Sequence, residues 1–198
     1  MRTASQFTVA GIAACIGLAA LTAPSDAQLV GLWRFDDAGN IGLDSSSSGN
    51  NLTAYGGATY SPTGQFGGAL SLDPAGGDDW LGIAGDTGNG AGCCNGGSDQ
   101  PFTPGTDLNN IPLGGSSYTI SAFIKPSPGI AGNAGIIGWG NYASGNQTNA
   151  FRLDSEDGLN NYWWGNDLNS GDVLPGADQF TDGNWRHVAV TYDASAVG

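Results

Sequence analysis

A chain of 198 residues carries eighteen Asp plus Glu against five Lys plus Arg, a formal charge of −13. A field of that sign repels phosphate backbones and anionic bilayers, which makes nucleic acid and anionic membranes poor partners and cations good ones. Every acid but Glu156 is Asp, a bias toward turns and loop ligation over helix surfaces.

Residues 1–27 read as a cleaved export signal: Arg2 supplies the positive start, "FTVAGIAACIGLAALTA" the apolar run, and Ser25, Asp26 and Ala27 the small-residue cut. The run is short for a membrane span. "IAAC" at Cys15 resembles a lipobox, but the apolar run continues past it, which favours the later cut. Removing 27 of 198 residues leaves 171, enough for one domain with a full core. A secreted or cell-surface protein is expected.

Thirty-five glycines interrupt the chain too often for helices of normal length. The segments between them are short and rich in β-branched and aromatic residues: "LVGLWRF", "ALSL", "WLGIA", "YTISAFI", "GIIGW", "AFRLD", "LNNYWW" and "WRHVAVTY". Spaced strands with turn signals predict an all-β sandwich or jelly roll. In "YTISAFIKP", Tyr118, Ile120, Ala122 and Ile124 share one face; in "WRHVAVTYD", Val188, Val190 and Tyr192 do. Residues 85–117 show no periodicity and many breakers, and loops of that length are commonly functional. Cys93 and Cys94 lie inside this loop. Adjacent Cα atoms sit about 3.8 Å apart, closer than ordinary disulfides allow, so a reduced pair, a strained vicinal disulfide and an intermolecular bridge are all open.

"GLWRFDD" (31–37), "GLDSSSSGNNLT" (42–53), "GQFGGALSLD" (64–73), "YTISAFIKP" (118–126) and "DGNWRHVAVTYD" (182–193) occur in order. Together they resemble the laminin-G-like, concanavalin A-like lectin/glucanase family across residues 29–193. The resemblance implies a jelly roll of two antiparallel sheets packed face to face, spanning 28–198. It also implies a further hairpin after "VAVTYD", so the last strands are expected to be missing and 29–35 to be left as an open edge. Calcium is the implied cofactor, since the chain is rich in hard oxygen donors. The usual place for it near the chain ends would favour Asp36 and Asp193.

The family includes glycosidases, but retaining enzymes need two carboxyl groups about 5–5.5 Å apart. The superfamily's glucanases draw them from paired Glu, and this chain has only Glu156. His187, the single histidine, lies inside an apolar strand, and no zinc set, phosphate loop or nucleophile elbow is present. A non-catalytic protein is expected. A sugar presents C–H faces to a flat ring and hydroxyls to small polar side chains. The mixtures "GWGNYASGN" and "NYWWGNDL" therefore mark Trp139, Tyr142, Tyr162 and Trp164, with Asn166 and Asp167, as a carbohydrate-binding face. The competing expectation is that these rings fill the core, where Trp33 and Trp185 belong. The expected partner is a glycan or polysaccharide. The alternative is a protein at a cell surface, contacted through loop 85–117 and Cys93 or Cys94.

Overall fold

A computed structural model describes residues 27–72, 79–82, 108–112, 115–128, 134–140, 145–146, 148–154, 158–170 and 180–196. Residues 1–26, Cys93, Cys94, Tyr142, Glu156 and most of residues 85–117 lie outside the described residues.

The described chain is all-β. Two short ladders come first: β1 (Thr53–Tyr55) with β4 (Trp80–Gly82), and β2 (Thr59–Gly64) with β3 (Gly67–Ser71), both antiparallel. Tyr55 stacks on Trp80 across the first, ring centres 5.1 Å apart. The second closes at Gly67, whose φ of 103° a side chain would oppose.

The later strands build the core. β5 (Tyr118–Ile124) pairs with β10 (Arg186–Tyr192) over their full lengths, from Tyr118↔Tyr192 to Ile124↔Arg186. β6 (Gly135–Gly140), β7 (Thr148–Leu153), β8 (Leu159–Tyr162) and β9 (Leu168–Asn169) form an antiparallel four-stranded sheet in that order. A bulge between Gly135 and Ile137 shifts the β6–β7 register. The two assemblies meet through Ile120, Phe151, Val188 and Val190, with Tyr118, Ile137, Trp139 and Leu159 packed around them. The alternation read in β5 and β10 is the cause: their apolar faces coincide across the ladder and land on the inner face of β7. Burying a ring such as Phe151, 2% exposed, contributes about 1.5–3 kcal/mol. A 3₁₀ turn, Ala194–Ala196, follows β10. Among the described residues no helix is long and apolar enough to cross a membrane.

One expected strand does not form. Residues 29–35 make a single bridge, Trp33↔Asp44, and no ladder. The segment is held by side chains instead. Buried Asp44 accepts the N–H of Leu32 and of Ser46 on Oδ1, and the Ser46 hydroxyl and Asn50 N–H on Oδ2, all at 2.7–2.8 Å. Burial pushes the Asp44 carboxyl upward, but these donors outweigh it and hold it below the usual carboxylate value. Asn50 ties the segment further, donating to the Val30 and Asn109 carbonyls and accepting the Asn109 N–H. The Trp33 indole N–H bonds to the Asn50 carbonyl. Trp33 and Trp185 are half-buried and stand outside the central cluster, against the expectation that they are core rings.

Candidate functional site

Side chains alternate along β7 and β8, and the register Phe151↔Asn161 and Ala150↔Tyr162 fixes which ones share a face. Asn149, Phe151, Leu153, Leu159 and Asn161 look into the core. Thr148, Ala150, Arg152, Asn160 and Tyr162 share the opposite side, where Thr148, Ala150 and Asn160 are themselves buried and Arg152 and Tyr162 half-buried.

The three consecutive rings part where β8 ends at Tyr162. Trp163 goes inward: its indole N–H reaches the Tyr118 hydroxyl at 3.1 Å and its ring meets Tyr192 edge-on. Tyr162 and Trp164 meet each other edge to face, 5.6 Å apart at 71°, on the other side.

Trp164 holds a φ of 61°, the left-handed region, which costs an ordinary L-residue about 1–2 kcal/mol. Its neighbours pin it there. Asp167 Oδ1 accepts the Trp163 N–H at 2.9 Å, the Asn146 N–H bonds to the Trp163 carbonyl at 2.7 Å, and Asn166 Nδ2 donates to Asn146 Oδ1 at 2.9 Å. Asn166 and Asp167, expected to meet a ligand, are therefore the residues that build the turn. Both are exposed beside Trp164.

Arg152 completes this face, and sequence reading missed it. Its guanidinium lies 4.0 Å above the Tyr162 ring, and its Nε donates to Asn160 Oδ1 at 2.9 Å. Asn160 Nδ2 in turn donates to Asn169 Oδ1 at 2.6 Å. The available signal was Arg152 at the same strand parity as Ala150, opposite to Phe151, in a chain poor in cations.

Trp139 does not join the outer face. It sits directly across the ladder from Asn149 and so shares the inward side, where it packs against Tyr118 and donates its indole N–H to the Pro112 carbonyl at 2.7 Å. The expected single face of four rings is thus divided by sheet register, and Tyr142 falls outside the described residues. The inward side is aromatic but poorly satisfied. Tyr118 accepts from Asn161 Nδ2 at 2.7 Å, and Asn161 Oδ1 is buried without a hydrogen-bond partner among the described residues. Burial raises the Tyr118 hydroxyl above its ordinary value despite the Asn161 and Trp163 donors.

The two candidate calcium ligands are engaged locally. Asp36 pairs with Arg34 at 3.2 Å on the surface. Asp193 Oδ1 accepts the Ser195 hydroxyl at 2.7 Å and the Ser195 N–H at 2.9 Å, which lowers its carboxyl below the usual value. Among the described residues no group of three or more His, Cys, Asp or Glu could hold a metal ion. His187 lies on the exposed side of β10, its ring 4.8 Å from Phe123, which is 47% exposed and touches the 74% exposed Phe66.

Comparison with known proteins returns a family-level match. No curated protein and no solved structure matches the chain. Residues 96–198, just over half of the chain, match the family model described as the concanavalin A-like lectin/glucanases superfamily. That stretch holds the four-stranded sheet, β5, β10 and two of the five resembling motifs; the other three lie before it. The chain belongs to the concanavalin A-like lectin/glucanases superfamily.

Proposed function

We propose that this is an exported, non-catalytic carbohydrate-binding module, with Tyr162 and Trp164 as its stacking rings. The observation that carries the reading is Trp164 held at a left-handed φ by Asp167, Asn146 and Asn166. Backbone strain of this kind persists where surroundings over-determine it, and it clusters at ligand sites. Here it holds a large, half-buried ring on the side of the sheet opposite the Phe151 cluster. The absence of catalysis is argued from the sequence: a single Glu gives no carboxylate pair of glycosidase type. Two rings bury little area, so binding is expected to be weak for each site.

Affinity electrophoresis of the full chain through a panel of polysaccharides, with calcium and again with a chelator, tests this. Retardation that disappears in Trp164→Ala supports the module. Loss of retardation in the chelator would make calcium part of binding, whereas unchanged retardation would leave it at most structural. No retardation of a folded sample by any polymer would turn the assignment toward a protein partner. The exposed Phe66, Phe123 and His187 cluster favours that second reading, because a surface aromatic patch of this kind suits a protein contact.

A further inference from the structure

We propose that the Tyr162–Trp164 face selects sugars bearing an isolated oxyanion, a uronate carboxylate or a sulfate ester, and that Arg152 is the group that reads it. This rests on the glycan-binding reading above.

The argument begins with the cations. Among the described residues, Arg34 is paired with Asp36 and Arg186 with Asp182, while Lys125 is exposed just past the end of β5. Arg152 differs from all three. It is half-buried, no carboxylate lies within ion-pair reach among the described residues, and its place is built. Tyr162 supports the guanidinium plane from below, and the Asn160–Asn169 relay fixes the Nε edge. In a chain of charge −13 an unpaired cation is easily satisfied by a local carboxylate, and this one has been kept from any described.

Nε is engaged by Asn160, and among the described residues neither terminal amino group of Arg152 has a side-chain hydrogen-bond partner. A guanidinium presents planar, forked donors that match a carboxylate or sulfate bidentately, and it is less strongly hydrated than an ammonium. A sugar ring stacked on Trp164 or Tyr162 would bring a substituent within reach of that fork. The overall field decides the density of charge: −13 opposes a polyanion with a charge on every residue, so the fit is to a largely neutral glycan with spaced anionic groups.

The test uses matched polymers. The full chain is run through gels containing glucuronoxylan and through gels containing the same xylan after its carboxyl groups are reduced to alcohols; a second pair sets a sparsely sulfated galactan against its desulfated product. The charged member of one pair is expected to bind about tenfold more tightly than its neutral counterpart, a modest charge-assisted contribution at a half-exposed site. Whichever pair shows the ratio distinguishes carboxylate from sulfate. Arg152→Gln should bring the ratio close to one, and Arg152→Lys, which keeps the charge and loses the fork, should fall between. The wild-type ratio needs no substitution, so it stands even where a variant fails to fold. Equal retardation by both members of each pair overturns the inference and leaves glycan binding standing. A ratio that survives in folded Arg152→Gln overturns the role of Arg152. No retardation by any polymer overturns both the inference and the reading beneath it.

Discussion

The two faces of the β6–β9 sheet are made of similar residues and are used differently. Inward, Trp139 packs on the Phe151 cluster, and Asn161 and Trp163 bond to the Tyr118 hydroxyl. On the opposite side, half-buried Tyr162, Trp164, Arg152 and Asn169 form a stacked, hydrogen-bonded layer with buried Asn160. Among the described residues the inward face leaves Asn161 Oδ1 without a partner, whereas the other face has the Asn160 and Asn169 amides bonded and its strain in the backbone of one tryptophan. Aromatic content alone therefore does not mark a ligand site. What separates the faces is strand parity and where the cost is carried.

Substitutions can break this contrast, and the largest effect belongs inward. Phe151→Ala removes the most buried ring of the core and should cost about 3–5 kcal/mol in denaturant unfolding. Trp163→Ala, half-buried, should cost about 2–3 kcal/mol, since it removes a ring packed on Tyr192 and a donor to Tyr118. Trp164→Asn should differ from both: Asn accepts the left-handed conformation, so stability should stay within about 1 kcal/mol of wild type while polysaccharide retardation is lost.

Acid sharpens the comparison from outside the sheet. Asp44 has a folded carboxyl value below its unfolded one, so the unfolded chain binds the proton more readily. Its contribution is complete above the ordinary carboxylate value of about 3.9 and is lost as pH falls through the lower folded value. Denaturant midpoints measured from pH 6 downward should fall in that acid range, and Asp44→Asn should flatten the slope. The smallest effect is spectroscopic: Tyr118, raised by burial, should ionise later than an ordinary tyrosine, and Tyr118→Phe should remove that late step from an alkaline absorbance titration.

How far sequence carried depended on whether an element's fate was local. β5 matched its predicted bounds and β10 came within one residue, because each has an apolar period of two that needs no partner to be read. Alternation in the sequence separates Tyr162 and Trp164 from Trp163, but the left-handed turn at Trp164, past the end of β8, is not legible there. Residues 29–35 carried strand-forming residues, yet the Asp44 carboxylate and Asn50 amide satisfy that backbone, a competition propensity does not register. Trp139 and Arg152 were placed by cross-strand register, and the bulge near Ile137 is set by pairing rather than by composition. Asn166 and Asp167 were seen as polar neighbours of the rings, but their work in the turn depends on Asn146, twenty residues from Asn166.

Affinity electrophoresis of the full-length wild type and Trp164→Ala through a polysaccharide panel, with circular dichroism on both, tests the outward face most directly. A folded variant that has lost the retardation seen in wild type is the expected result. A folded Trp164→Ala retarded as strongly as wild type, or a variant that no longer folds, would contradict a ligand face centred on that ring.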